Sequence, residues 1–296
     1  AKFFDQELVY FMAWAVTLAG ILQLIMLAIY AKKYFTPKIS FNFKISPEVK
    51  HFFKRLLPSI FSSGIIQINI LIGTIIASFE AGAVSYLYYA DRIYQINLAI
   101  AGIAVGTVSL PVLSEAFKSK SIKKLRNIQS KSFELSLLLS IPASVGLILA
   151  SEEIVNALFG YGTFSKEDVK LTADALKYFG YGVPAFALVK ILSNFFFARD
   201  NTKTPFYISI VIVVINISIS VSLFSTLGFI IIPIATSLAT WVGVFIYIYL
   251  LNKKKSLLLK IELIPNLIKI LSSTIIMSFI LIFALNNYAS YLDYTY

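Results

Sequence analysis

The sequence contains no cysteine and only one histidine. Without cysteine the chain can form no disulfide and offers no thiolate ligand to a metal. His51 has no second histidine with which to share a metal ion, and we interpret it as a solvated side chain. No phosphate-binding loop of the GxxxxGKS or GxxxxGKT type occurs, so the sequence gives no sign of ATP hydrolysis.

Groups suited to catalysis are also scarce. Adjacent acidic residues occur at Glu152-Glu153 and Glu167-Asp168, but neither pair has a neighbouring histidine, metal-ligand spacing or a nucleophile motif. We interpret both pairs as surface charge and expect no enzyme activity. A membrane-embedded glycosyl or lipid transferase would need such groups near a membrane surface, and it is therefore the less favoured alternative.

Apolar residues dominate instead. Of 296 residues, 58% are hydrophobic and 14% are charged, which is more apolar surface than a soluble domain of this length can bury. Apolar runs long enough to cross a bilayer predict an all-α polytopic membrane helix bundle with about eight transmembrane helices. The predicted spans are residues 8–31, 56–79, 85–114, 133–150, 171–197, 205–227, 229–251 and 264–285.

The net charge of +11 comes from lysines and arginines that lie in several loops between the spans. This distribution argues against a nucleic-acid-binding patch and follows the positive-inside rule, which places the lysine-rich loops in the cytoplasm. Residues 47–57 combine phenylalanine and leucine with cations and predict a short amphipathic helix on the inner surface of the bilayer. The same orientation places the start of the chain outside without a signal peptide, so we expect an odd number of earlier spans to be missing.

Arg92 lies in the third predicted span, roughly 13 Å along the helix from Ala83 and close to the bilayer midplane. A charge at this depth costs about 2.5–3.5 kcal/mol and is usually retained where it faces a bundle interior or a water-filled cavity. Tyr88 and Gln95 share its helix face. We predict a substrate-binding site on this face, and pairing of Arg92 with Asp91 or with a neighbouring helix is the alternative.

The fifth predicted span contains a second deeply placed cation, Lys190, about two turns from the cytoplasmic end. Lys190 is a further candidate for substrate binding, although its long side chain can also reach the membrane surface. Gly180, Gly182 and Pro184 lie earlier in the same span and predict a bend in the helix.

Two longer motifs carry a family resemblance. YYADRIYQINLAIAGIAVGTVSLPVLSEAF at residues 88–117 and the segment 157–205, which ends in FFARDNTKTP, resemble the MurJ-type lipid II flippases. The resemblance extends from the first span to the last. It implies the fold of the multidrug/oligosaccharidyl-lipid/polysaccharide exporter superfamily, in which two lobes of six helices enclose a cavity that opens alternately to each side of the membrane.

The resemblance divides the chain into three parts. Residues 1–55 correspond to the last helix of the first lobe and a cytoplasmic amphipathic linker. Residues 56–252 correspond to the six-helix second lobe, and residues 253–296 to the start of the helices that form a lipid-facing groove. The first five helices of the amino-terminal lobe would be missing, so this chain alone should not transport.

The resemblance also implies a function. The complete protein is expected to be a monomer that moves lipid II, the undecaprenyl-pyrophosphate-linked peptidoglycan precursor, from the inner to the outer leaflet of the bacterial plasma (inner) membrane. Arg92 matches the cavity arginine of the family on this helix, and Asp91 and Gln95 are expected to orient it or to contact the sugar. A drug or polysaccharide exporter of the same superfamily is the alternative.

Some members of the family bind a sodium ion within this lobe. An INLLVDT-like pattern would place an aspartate on the second span, but this chain reads INILIGT, with Gly73 at that position. The resemblance leaves Asn216, Ser220 and Thr236 as neutral oxygen donors for a possible sodium ion, and such donors hold hard cations weakly. Interhelical hydrogen bonds between these side chains are the alternative.

Overall fold

The structure, a computed structural model, describes residues 4–32 and 47–288. The lysine-rich segment 33–46, expected to follow the first span, lies outside the described residues. The chain divides into two compact units, Ala1–Phe52 and Phe53–Tyr296, and every contact given below lies within the second. The described helices are α1 (Phe4–Lys32), α2 (Pro47–Ala77), α3 (Ala83–Leu98), α4 (Val105–Lys118), α5 (Ile122–Leu149), α6 (Ser151–Phe159), α7 (Lys166–Phe197), α8 (Lys203–Leu227), α9 (Ile231–Lys253) and α10 (Leu263–Tyr288).

Six stretches of the described residues are long and apolar enough to cross a membrane. One of them, Lys203–Lys253, has 51 residues and would measure roughly 77 Å as a single helix, more than twice a hydrocarbon core of about 30 Å. Gly228 divides it into α8 and α9, because its φ of 61° and ψ of −153° are not helical. Helix α2 has 31 residues and is apolar over Gln67–Ala77. The predicted all-α, multi-pass membrane fold is confirmed.

Two helix boundaries differ from those predicted. Helix α5 begins at Ile122, well before the predicted span, because Ser121 caps its first turn by accepting a hydrogen bond from the backbone N–H of Lys124 at 3.4 Å. Much of the predicted lysine-rich loop before that span is therefore helical. Helix α2 runs unbroken from Pro47, so the predicted amphipathic segment and the second span form one helix.

The helix that carries Arg92 is one continuous rod from Ala83 to Lys118, in which a π-helical segment, Ala99–Ala104, joins α3 to α4. Glycine lets this rod lie close to α7. A Cβ atom at Gly102 would be 3.1 Å from the Ala187 Cα, and one at Gly106 would be 3.0 Å from the Asn194 Nδ2. Asn194 also donates a hydrogen bond to the Gly106 carbonyl at 2.8 Å, which connects α7 directly to the rod.

Helix α7 is the most buried of the candidate spans among the described residues, and it continues through Pro184. Proline has no N–H, so the Gly180 carbonyl loses its usual helical donor. The Ser144 hydroxyl of α5 donates to this carbonyl at 2.7 Å, and the Trp241 indole of α9 donates to the next carbonyl, that of Tyr181, at 3.0 Å. Neighbouring helices therefore satisfy the backbone at the predicted bend.

The amino-terminal end of α3 is tied to two other parts of the chain. Tyr86 donates a hydrogen bond to the Asp168 carboxylate at 2.7 Å, and Asp168 also closes a capping box with Ser165 at the start of α7. Glu80, in the turn before α3, accepts a hydrogen bond from the Phe229 backbone N–H at 2.7 Å. Since Asp168 caps a helix, its carboxylate has a structural role here.

An extended segment, residues 254–262, joins α9 to α10 and lies along α5. The buried side chain of Gln129 donates to the Ser256 carbonyl at 3.2 Å and accepts from the Leu258 N–H at 2.8 Å. Farther along, Asn266 of α10 donates to Glu134 of α5 at 2.9 Å. These bonds hold α10 against the rest of the second unit.

Candidate functional site

Arg92 lies on α3 with its side chain exposed. One guanidinium nitrogen donates a hydrogen bond to the Tyr88 hydroxyl at 2.8 Å, and the guanidinium carbon is 4.6 Å from the centroid of the Tyr88 ring. Residues four apart lie on the same helix face, so this contact follows directly from the local sequence. A hydrogen bond and a cation–π contact thus fix the cation against Tyr88.

Asp91 is bonded to a residue other than its neighbour Arg92. Its carboxylate accepts a hydrogen bond from the Gln95 side chain, four residues along the helix. Adjacent side chains on a helix point about 100° apart, which explains why the two charges do not meet. Among the described residues no carboxylate lies within ion-pair distance of Arg92. The guanidinium therefore has no direct ion-pair partner in this part of the chain.

Aromatic rings connect this face of α3 to α6 and to the turn that follows α6. Tyr89 packs against Phe159 of α6, with centroids 4.7 Å apart, and against Phe164 of the following turn at 5.4 Å. On its other side, Tyr89 meets Tyr88 edge to face at 6.4 Å. The rings therefore form a continuous set of contacts from α6 and the turn after it to Tyr88.

Lys190 is not brought to the Arg92 group. It lies on α7 with an exposed side chain, and its ammonium group has no hydrogen-bond or ion-pair partner in the described part of the chain. Its backbone carbonyl accepts a bond from the Ser193 hydroxyl at 2.9 Å. A role for Lys190 in substrate binding stays a prediction.

The three residues predicted as cation donors do lie together. The Asn216 Oδ1 accepts hydrogen bonds from Ser220 at 3.4 Å and from Thr236 at 3.5 Å, which links α8 to α9. The Asn216 Nδ2 donates to the Asn69 Oδ1 of α2 at 2.8 Å. Sequence reasoning missed Asn69, although a polar residue four positions before Gly73 in an apolar helix was a signal for an interhelical hydrogen bond.

This cluster is a poor fit to a resident sodium ion. Its groups are neutral, its hydrogen bonds are made within the cluster, and the described residues contain no group of three or more acidic, histidine or cysteine side chains. At Gly73 an added Cβ atom would meet only the Ile232 side chain, at 3.9 Å, so the missing carboxylate is not replaced by another group there. The sodium site stays a prediction.

Sequence comparison identifies the family to which the chain belongs. The family model described as Lipid II flippase MurJ matches residues 2–295. The chain belongs to the MurJ family. A probable lipid II flippase MurJ of Rhizobium tropici is 37% identical over 244 residues, covering 81% of this chain and 46% of the relative. A probable lipid II flippase MurJ of Rickettsia prowazekii is 35% identical over 280 residues, covering 93% of this chain and 54% of the relative. The chain spans about half the length of these curated MurJ relatives.

Solved structures agree with the MurJ assignment. A lipid II flippase MurJ in an inward closed conformation has a TM-score of 0.71 at 27% identity, and the match covers 92% of this chain and 54% of the MurJ chain. An outward-facing multidrug resistance MATE family transporter has a TM-score of 0.60 at 17% identity, and the match covers 74% of this chain and 50% of the transporter chain. The second likeness concerns the fold alone. The chain is thus a multi-pass membrane protein of the MurJ family.

Proposed function

We propose that this chain forms the second lobe of a non-enzymatic flippase that moves lipid II from the inner to the outer leaflet by alternating access. The observation that carries the proposal is the Arg92 guanidinium, which sits on a membrane helix without a carboxylate partner among the described residues. A cation without an ion-pair partner is suited to an anionic group that arrives and leaves. Membership of the MurJ family supports lipid II as that cargo.

Arg92 provides what a pyrophosphate needs in order to cross. The charged headgroup cannot enter hydrocarbon alone, and a planar guanidinium can pair with two phosphate oxygens at once. Arginine has five N–H donors, and Tyr88 accepts from one NH2 group, so donors remain for the substrate. The pyrophosphate would bind the free side of the guanidinium while the lobes close on one face of the membrane and open on the other.

Other polar groups would serve the rest of the headgroup. The Asp91 and Gln95 side chains, bonded to each other, are suited to hydrogen bonds with sugar hydroxyls or amides. Tyr88 would contribute the face of its exposed ring, and Lys190 a second cation. These assignments are part of the proposal.

The chain's coverage of its relatives supports a further part of the proposal. Because it spans about half of their length, we infer that an amino-terminal lobe of the same protein completes the cavity. Residues 1–55 would end that lobe and link it to residues 56–252, and residues 253–296 would begin the lipid-facing groove. The protein would act as a monomer in the bacterial inner membrane.

Two other functions are less well supported. A drug exporter of the same superfamily has the fold likeness to MATE transporters in its favour, but at 17% identity this likeness concerns the fold alone. A membrane-embedded transferase would need catalytic carboxylates. One of the candidates, Asp168, accepts hydrogen bonds from Tyr86 and Ser165, as expected of a helix cap. The flippase is therefore the function we propose.

Replacement of Arg92 tests this function. In a bacterium whose own flippase can be depleted, the complete protein with Arg92→Ala should fail to support growth, because the pyrophosphate loses its cation. Arg92→Lys should restore growth in part, since it keeps the charge and loses the planar fork. Lys170→Ala, which removes an exposed cation near the start of α7, is the matched control and should grow normally. Normal growth of Arg92→Ala at equal expression would overturn the proposal.

A further inference from the structure

The acceptor that holds Arg92 is a phenol and not a carboxylate. Within the described part of the chain, the Tyr88 hydroxyl is the one group that accepts a hydrogen bond from the Arg92 guanidinium, at 2.8 Å. Asp91 is the adjacent residue, yet its carboxylate accepts a hydrogen bond from Gln95 and makes no ion pair with Arg92. The local structure thus bonds the cation to a neutral oxygen and not to the carboxylate next to it in the sequence.

This choice of acceptor has a chemical consequence. A carboxylate would neutralise the guanidinium, and an incoming phosphate would have to displace it. A phenol fixes one edge of the guanidinium and leaves the full positive charge, while the ring, 4.6 Å away at its centroid, adds a cation–π contact. Since arginine has several rotatable bonds, fixing its head also removes part of the entropy cost of binding a ligand.

The Tyr88 ring is itself held in position. Although 55% exposed, it meets the Tyr89 ring edge to face, with an interplanar angle of 76°. Tyr89 is packed in turn against Phe159 of α6 and Phe164 of the turn after α6. Tyr88 can therefore hold Arg92 at a defined place, because contacts from another part of the structure support the ring.

We propose that Tyr88 is a positioning residue for Arg92: its hydroxyl aims the guanidinium at the pyrophosphate without neutralising it. This inference rests on the proposed function and assigns to Tyr88 a specific role within it. Tyr88 acts through Arg92, so its effect depends on the fork of the guanidinium.

The first test removes one oxygen atom. In the complete protein, purified in detergent, Tyr88→Phe should weaken binding of undecaprenyl pyrophosphate about tenfold, the typical effect of losing a hydrogen bond to a charged group. Tyr89→Phe makes the same chemical change one residue along, at a hydroxyl with no hydrogen-bond partner among the described residues, and should bind as the unmodified protein does. The thermal unfolding midpoint of both variants should be unchanged.

The second test separates positioning from a general structural role. In an Arg92→Lys background, Tyr88→Phe should cause little further loss of affinity, because a lysine has no planar fork to aim. An independent structural role would instead give the same tenfold loss in both backgrounds. Equal loss in both backgrounds, or unchanged affinity of Tyr88→Phe in the unmodified background, would overturn the positioning role.

The Arg92→Ala variant distinguishes this failure from that of the proposed function. If Arg92→Ala abolishes binding of undecaprenyl pyrophosphate and Tyr88→Phe leaves it intact, only the positioning role is wrong. If Arg92→Ala also binds normally, the flippase site itself is wrongly assigned.

Discussion

At the scale of single residues, local and distant contacts differ in how far the sequence predicts them. The Arg92–Tyr88 contact joins residues four apart on one helix, so helical periodicity alone predicts it. The Asn69–Asn216 bond joins α2 to α8 across 147 positions, and no local pattern connects the two. A polar residue in an apolar helix indicates that it has a hydrogen-bond partner on another helix, but only the packing of the helices identifies that partner.

The sodium question can be decided at one residue. Gly73→Asp would place a carboxylate one helical turn from Asn69, beside the neutral cluster of α8 and α9, where an added Cβ atom has room. We expect sodium chloride to raise the thermal unfolding midpoint of this variant by a few degrees relative to N-methylglucamine chloride, because the ion would bind the folded state.

The unmodified protein should show no such shift, since its donors are neutral. Gly64→Asp, on the same helix at a position with open space, is the control for an added charge and should not respond to sodium. A sodium-dependent shift in the unmodified protein would mean that the neutral cluster holds the ion by itself.

At the scale of helices, glycine spacing fixes how α7 crosses the Arg92 rod. Gly102→Val should destabilise the protein by about 1–3 kcal/mol, because the new side chain would collide with the α7 backbone at Ala187. Gly146→Val makes the same change in α5, where nothing lies within 4 Å of the added Cβ atom, and should cost far less. Thermal unfolding in detergent measures both; equal losses would show that the close crossing does not contribute to stability.

The backbone at Pro184 provides a second test at this scale. Ser144→Ala should cost about 1–2 kcal/mol, because it leaves the buried Gly180 carbonyl without a donor. In a Pro184→Ala background the helix regains its own N–H donor, and the same Ser144→Ala change should cost much less. Ser209→Ala, which removes a hydroxyl bonded within its own helix, is the control. An unchanged cost in the alanine background would contradict this account.

At the scale of the whole molecule, hydropathy predicted the class and the helices, while the orientation that the positive-inside rule gives stays a prediction. Apolar runs determine where a helix can cross a bilayer, and Gly228 marks the division between α8 and α9. The π-helical segment and the extended stretch along α5 were not predicted. The extended stretch depends on contacts between distant parts of the chain, such as Gln129 with Ser256 and Leu258, which hydropathy does not encode.

A flippase that carries a pyrophosphate past Arg92 requires the Arg92 face of α3 to line a water-filled cavity. The sequence has no cysteine, so one introduced cysteine can be labelled specifically within this chain. Ile96 lies one turn from Arg92 on the same face and is 62% exposed, whereas Phe279 lies on the apolar α10 and is 70% exposed. These two positions compare the proposed cavity with a surface expected to face lipid.

The most direct measurement is the rate at which each cysteine reacts with a charged, membrane-impermeant thiol reagent in the complete protein. Ile96→Cys should react, and undecaprenyl pyrophosphate should slow the reaction, while Phe279→Cys should stay unlabelled. If Ile96→Cys is as unreactive as Phe279→Cys, the Arg92 face meets lipid or a sealed helix contact, and no pyrophosphate can reach it.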